Sequence, residues 1–99
     1  MEFDGFEWDD GNWPKCGAHG VSIEEVEELF LSADVTIGPD RAHSETEARF
    51  AAIGPSHLTG RTMLVIFTVR DRQGQRLLRP ISARFMHEKE IRRYERTRP

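Results

Sequence analysis

The 99-residue sequence has a single cysteine, Cys16, and therefore cannot form an internal disulfide. One cysteine and four scattered histidines do not supply the clustered ligands of a structural zinc site. No apolar run approaches the ~20 residues of a membrane span, and the acidic start lacks the basic and apolar regions of a signal peptide. Repeats, low-complexity tracts and linkers are also missing. We therefore expect one cytoplasmic domain, residues 1–99, with no metal, no cofactor and no membrane contact.

Basic residues are scarce in the first two-thirds of the chain and concentrated at its end. Residues 1–69 contain four basic and thirteen acidic residues, a net of −9, whereas residues 70–99 contain ten basic and four acidic residues, a net of +6. This asymmetry predicts an anionic partner for the basic end, and a nucleic acid is the partner we expect. A solvated basic helix is the alternative.

Local patterns predict an α+β fold with an antiparallel sheet, packed against two N-terminal helices and followed by a C-terminal helix. The clearest helix, residues 22–31, begins with a Ser22–Glu25 capping box and a Val21–Val26 staple. Its solvated side is expected to consist of Glu24, Glu25, Glu27 and Glu28. The continuous apolar run 63–69 indicates a central strand, and Pro80 indicates an edge or a bulge. The predicted elements are a strand or arm at 3–8, a short helix toward His19, helix 22–31, strands at 35–37, 47–53, 63–69 and 77–84, and a helix at 87–97. A hairpin turn that contains Gly74 is predicted at 71–75.

Ordered motifs along nearly the whole chain resemble the BrnT family of toxins from bacterial type II toxin–antitoxin systems. In chain order they are Phe6-Glu7-Trp8-Asp9, Asn12-x-x-Lys15-Cys16, His19-Gly20-Val21-Ser22-Ile23-Glu24-Glu25, Asp40-x-x-His43-Ser44, Glu47-x-Arg49-Phe50-x-Ala52-Ile53-Gly54, Phe67-Thr68-x-Arg70, and Arg79-Pro80-Ile81-Ser82-Ala83-Arg84-x-Met86-His87-x-Lys89-Glu90-Ile91-x-x-Tyr94-Glu95.

The resemblance implies a RelE-like ribonuclease fold and an endoribonuclease that arrests translation. It also implies a BrnA-like antitoxin that neutralises the toxin in a hetero-oligomer and carries the DNA-binding part, so that DNA is contacted only indirectly. Many relatives have a basic residue before the His-Gly pair, where this chain has Ala18. A catalytically decayed or non-enzymatic module that binds RNA or a partner is therefore the alternative function.

RNA can be cleaved without a metal when the 2′-OH attacks the neighbouring phosphate, cations stabilise the developing charge, and side chains move the protons. Arg70, Arg79 and Arg84 offer bidentate phosphate recognition, or they are ordinary charges at strand edges. The resemblance favours a functional role for Arg79 and Arg84. We expect both to converge with His87 at a phosphate-binding corner, while Arg92, Arg93, Arg96 and Arg98 supply general attraction.

Candidates for proton transfer lie elsewhere in the chain. Lys15 precedes His19 by one turn, so both are expected to project from one helical face toward a shared phosphate, or simply into solvent. His19 suits a general acid or base because its ordinary pKa is ~6.5, or it interacts with a helix dipole. His87 is expected beside the phosphate or as a helix start. The role of His43 and Ser44 stays open.

The remaining candidates each have a structural alternative. Glu47 and Arg49 are expected to share a strand face, either as a catalytic carboxylate with its orienting cation or as a surface salt bridge. Ser82 is expected to bind phosphate or to be satisfied by backbone. Trp8 is expected to stack on a base, or to be buried or turned toward the antitoxin.

Overall fold

A computed structural model describes residues 2–40 and 47–97. His43, Ser44 and Arg98 lie outside these residues. The described part confirms the α+β class, with strands and helices in the predicted order. The elements are β1 (Gly5–Phe6), α1 (Trp13–Gly17), α2 (Ile23–Leu31), β2 (Thr36–Pro39), β3 (Phe50–Pro55), β4 (Thr62–Arg72), β5 (Gln75–Phe85) and α3 (Glu88–Thr97). None of these helices is long and apolar enough to span a membrane.

The described strands form one sheet in the order β1-β5-β4-β3-β2. The prediction of an antiparallel sheet is wrong at one edge, because β1 runs parallel to β5 and pairs Gly5 with Leu77 and Phe6 with Leu78. A strand of two residues has no alternating pattern that would reveal its direction. Among the described strands, β1 pairs with β5 only at Leu77 and Leu78, so β5 has no strand partner on this side at Pro80, and the predicted edge position of Pro80 is confirmed. Pro80 also lies at a bulge, where Ile66 pairs with Ser82 and Phe67 with Pro80.

The hydrophobic core lies between one face of the sheet and the two N-terminal helices. Val26 and Leu29 of α2 are buried in one cluster with Val65, Phe67 and Ala83 of the central strands. The Phe30 and Phe67 rings meet edge to face, with centroids 5.0 Å apart. Phe67 is fully buried, so the central apolar run forms the floor of the core.

Side chains that alternate with the core residues point away from α1 and α2, toward the side of the sheet that carries α3. We call this surface the open face. At one end, Tyr94 of α3 reaches across to β2, and its hydroxyl lies 2.7 Å from the Thr36 hydroxyl. Tyr94 and Ile91 are half-buried. The open face comprises Ile53, Leu64, Ile66, Arg70, Arg79, Ser82 and Arg84.

The predicted capping box at α2 is confirmed, but Glu25 does not belong to the solvated side of the helix. Its backbone N–H donates to the Ser22 hydroxyl, and its carboxylate accepts from the Ser22 N–H and from the hydroxyl of buried Ser56. Glu25 is 5% exposed. Burial alone raises the pKa of Glu25, but the hydrogen bonds from Ser56 and Ser22 outweigh burial and hold this pKa below its ordinary value of 4.5. The carboxylate thus ties the loop that follows β3 to the start of α2.

Glu25→Gln is expected to lower the free energy of unfolding at pH 7 by about 2 kcal/mol, because it removes charged hydrogen bonds at a buried site. Since the folded pKa of Glu25 lies below the unfolded one, its contribution is present above about pH 4.5 and is lost as pH falls through the folded pKa. Urea unfolding at pH 7 and pH 3 should therefore show that the free energy of unfolding decreases less between these pH values for Glu25→Gln than for wild type. Glu28→Gln, at an exposed position of the same helix, is the control. An equal decrease in the free energy of unfolding for the Glu25 variant and the wild type would contradict a stabilising role for the ionised Glu25 carboxylate.

Candidate active site

The β4–β5 hairpin gathers arginines at one end of the open face. Its two-residue turn has positive φ at both Gln73 (51°) and Gly74 (79°), which matches the twist of an antiparallel pair. Acids from the N-terminal segment neutralise this end. Arg72 Nε lies 2.9 Å from Glu7, and the backbone N–H of Arg76 donates to Asp4 over 2.6 Å. Part of the positive charge at the end of the sequence is thus paired with negative charge from its start, within the same chain.

Arg79 is the most strongly held of these arginines. Its guanidinium contacts Glu7 at 3.0 Å and both Asp9 oxygens at 2.9 and 3.0 Å. The side chains of Arg79 and Glu7 are each only 15% exposed. The hydrogen bond from Arg72, followed by the bond from Arg79, lowers the pKa of Glu7, and the bond from Arg79 lowers the pKa of Asp9. We call this group the Arg79 clamp (Glu7, Asp9 and Arg79). It holds the N-terminal segment against β5.

Asn12 completes the attachment, and it was not among the predicted site residues. It is 2% exposed, and its amide donates to the backbone oxygens of Glu7 (2.9 Å) and Pro80 (2.8 Å). Its side-chain oxygen accepts from the Asp9 N–H at 2.8 Å. Asn12 belongs to one of the family motifs, which is the signal that could have identified it. The contacts assign it a structural role.

Glu47 pairs with a different arginine from the one predicted. It lies 3.1 Å from Arg70 Nη2, and the two side chains are about one-third exposed. Glu47 and Arg49 both precede β3, which begins at Phe50, so the prediction that they share a strand face is wrong. The backbone of Arg49 instead accepts from Asp40 N–H at 2.9 Å. Arg70 and Glu47 therefore form an ion pair at the hairpin end.

Arg84 lies at the other end of the open face, beside the start of α3. Its two terminal nitrogens each lie 2.7 Å from an oxygen of Glu90, in a bidentate pair. Glu90 also accepts the backbone N–H of His87, the residue before α3, at 2.9 Å. The hydrogen bond from Arg84 lowers the pKa of Glu90 to about 2, and Glu90 in turn raises the pKa of Arg84. Glu90 was missed, although a glutamate three residues after the residue that precedes a helix, here His87, is a capping signal.

The predicted corner of Arg79, Arg84 and His87 is not formed. Arg79 and Arg84 are five positions apart on β5, about 16 Å at the rise of a strand. Arg84, Ser82 and the exposed His87 share the α3 end of the open face, with Ser82 two positions from Arg84 on the same side of the strand. The structure therefore splits the predicted cation cluster into a neutralised hairpin end and an α3 end.

Lys15 lies within α1, and His19 lies just after it. The helix α1 ends at Gly17, so the prediction that both residues share one helical face is wrong. Both are exposed, and neither side chain makes a hydrogen bond or ion pair with another described residue. Cys16 of the same helix is buried in the core, on the opposite side of the sheet from Arg84. No hydrogen bond or ion pair within residues 2–40 and 47–97 joins Lys15 or His19 to Arg84.

Comparison with known protein families provides the decisive observation. A family described as the ribonuclease toxin, BrnT, of type II toxin–antitoxin systems matches residues 8–90. The chain belongs to the BrnT family. A comparison with curated individual proteins gives no match. The BrnT match includes Arg84, His87 and Glu90 and ends inside α3, before Arg93 and Tyr94.

The first matched BrnT residue, Trp8, has a structural contact. Its indole N–H donates to Glu27 of α2 at 2.9 Å, and the ring packs half-buried against the core. This geometry supports the buried alternative over base stacking. Cys16 is 2% exposed, and burial raises the pKa of its thiol to about 11, so the thiol is neutral at pH 7. Among residues 2–40 and 47–97, no three His, Cys, Asp or Glu side chains are grouped to hold a metal ion.

Proposed function

We propose that this BrnT-family chain is an endoribonuclease toxin that cleaves RNA without a metal ion and thereby arrests translation. We further propose a RelE-like fold, action in the cytoplasm, and neutralisation by a BrnA-like antitoxin that carries the DNA-binding part of a hetero-oligomer. The observation that carries the proposal is the BrnT match over residues 8–90. The open face supplies the position for an RNA strand.

Within the proposed site, Arg84 binds the scissile phosphate. It is 37% exposed, and its bidentate contact with the Glu90 carboxylate has the geometry with which arginine also binds phosphate. The 2′-oxygen forms a bond to phosphorus, the bond to the 5′-oxygen breaks, and Arg84 stabilises the added negative charge. A cyclic phosphate and a 5′-hydroxyl result.

Two further residues at the α3 end suit supporting roles in this reaction. His87, the residue before α3, has an exposed imidazole and is the candidate for proton transfer to or from the reacting oxygens. The Ser82 hydroxyl can donate to a phosphate oxygen, since it lies on the same strand face as Arg84. Glu90, whose pKa is about 2, is ionised at neutral pH and orients Arg84 rather than donating a proton.

The alternative is a non-enzymatic binding module of the same family. The observation that favours it is that Arg70, Arg79 and Arg84 all pair with carboxylates in the free chain. On this view the three arginines stabilise the fold, and Ala18 marks the loss of a basic residue used for catalysis.

The purified chain is expected to degrade RNA in the presence of EDTA, because Arg84 and His87 supply charge stabilisation and proton transfer without a metal. The measurement is gel analysis of a defined RNA. The product with a 5′-hydroxyl is identified because a kinase can add a labelled phosphate to that end directly. Expression of the chain alone in a bacterium should stop growth. Intact RNA together with normal growth, from protein shown to be folded by circular dichroism, would contradict the toxin and favour the binding module.

A further inference from the structure

A groove separates α3 from the open face of the sheet. Its volume is about 630 Å³, within the range of small-ligand sites. The strands and the segment before α3 supply an apolar floor, and α3 supplies a wall with an aromatic ring and cationic side chains. The residues that define it are Ile53, Leu64, Met86, Lys89, Arg93 and Tyr94.

The groove carries positive charge that the described chain does not neutralise. Lys89 and Arg93 make no ion pair with any of the residues 2–40 and 47–97. The one carboxylate in the lining, Glu90, is bound by Arg84 and by the His87 N–H. This end of the chain therefore differs from the hairpin end, where N-terminal acids hold the arginines. The groove attracts an anion.

The groove is continuous with the proposed cleavage site. Leu64, on its floor, pairs directly with Arg84 in the β4–β5 register, and Glu90, which also lines the groove, binds Arg84. An apolar floor with an aromatic ring and flanking cations is the combination that binds unpaired nucleotides. The bases pack against the apolar and aromatic side chains, and the cations attract the phosphates. RNA has a phosphate at every nucleotide, so one strand can occupy Arg84 and the groove cations together.

We propose that this groove binds one unpaired nucleotide of a single-stranded RNA substrate, next to the nucleotide that is cleaved. The base lies over Ile53, Leu64 and Met86, and a phosphate lies at Lys89 and Arg93. The identity of the ligand as substrate rests on the proposed ribonuclease function. A paired base cannot enter, so the groove selects single-stranded over duplex RNA.

The test measures binding separately from cleavage. A short, fluorescently labelled, fully 2′-O-methylated RNA lacks the 2′-OH nucleophile and cannot be cut, so its Kd is read by anisotropy. Arg93→Ala is expected to weaken binding about tenfold, through loss of one phosphate contact beside the base. Arg92→Ala is the matched control, because Arg92 is the neighbouring residue of α3, pairs with Glu88 and does not line the groove. The control should bind nearly as tightly as wild type.

Two further probes examine the base itself. Removing single bases along the oligonucleotide should weaken wild-type binding about tenfold at one position and much less in Arg93→Ala, and duplex RNA should bind more weakly. Thermal unfolding shows whether each variant is folded. Equal losses of RNA affinity in the Arg92 and Arg93 variants would overturn the proposal that the groove binds a nucleotide. So would an oligonucleotide in which no position is sensitive to base removal. Tighter Arg93-dependent binding of an acidic peptide would also overturn it in favour of a protein partner.

The two proposals can fail independently. RNA cleavage that is unaffected by Arg93→Ala would leave the ribonuclease function standing without the groove. Base-dependent binding with no cleavage of unmodified RNA would leave a nucleotide site on a chain that is not an enzyme.

Discussion

Replacing Arg84 by alanine is expected to reduce kcat/KM for RNA cleavage by about 10²–10³-fold, as removal of a preorganised group that stabilises developing charge does. Arg84 is the arginine at the α3 end of the open face, and its exposure leaves it accessible to a phosphate. The fold should survive, because an exposed ion pair contributes only about 1 kcal/mol or less. Single-turnover cleavage of a short RNA gives the rate, and thermal unfolding reports the fold.

Two companion variants separate chemistry from general charge. Arg84→Lys keeps the charge but loses the planar, two-pronged contact, so its rate should fall between those of wild type and Arg84→Ala. Arg92→Ala removes an equal charge from the exposed Arg92–Glu88 pair and should leave the rate close to wild type. If Arg84→Ala and Arg92→Ala lose the same small fraction of activity, Arg84 attracts RNA only generally and is not part of the reacting site.

The features that sequence predicted well depend on residues close together in the chain. The α2 capping box requires only Ser22 and Glu25, and the hairpin turn requires Gly74. Pro80 lacks a backbone donor, which forces an irregularity wherever it lies inside a strand, and the bulge appears there. Each of these effects is contained within about one turn of helix or one strand pair, so a local pattern is sufficient to reveal it.

The features that sequence did not predict join distant parts of the chain. The contact between Arg79 and Asp9 spans 70 positions, and that between Asn12 and Pro80 spans 68. The opposite charges of the two ends of the chain were interpreted as a sign of an external partner, but Asp4, Glu7 and Asp9 bind the hairpin directly. Charge asymmetry alone cannot distinguish an internal pair from an external one, since the Coulomb attraction is the same.

The candidate site was predicted in part, for the same reason. Arg84, Ser82 and His87 lie near one another because a short stretch of chain contains all three. Arg79 is equally near in sequence, but an extended strand advances about 3.3 Å per residue and carries it to the opposite end of the face. Glu90 is not among the predicted site residues, whereas its position three residues after His87 brings it to both His87 and Arg84.

Replacing Arg79 by alanine is expected to destabilise the protein without impairing the chemistry, although the family motif contains it alongside Arg84. The change removes the Arg79 clamp and leaves Glu7, which is 15% exposed, with only its contact to Arg72. Breaking a fully buried pair costs ~3–5 kcal/mol, and the exposed position of Asp9 lessens the effect here, so we expect a loss of about 2 kcal/mol in the free energy of unfolding. Urea denaturation at pH 7 measures this loss.

The matched control is Arg76→Ala on the same strand. Arg76 is exposed and uses its backbone N–H, not its guanidinium, to contact Asp4, so alanine removes the same charge and leaves the attachment in place. Its free energy of unfolding should stay near the wild-type value. RNA cleavage by Arg79→Ala, assayed at a temperature where the variant is folded, should match that of Arg76→Ala. A variant at position 79 with wild-type stability and a cleavage rate as low as that of Arg84→Ala would instead place Arg79 in the reacting site, and would require the clamp to open when RNA binds.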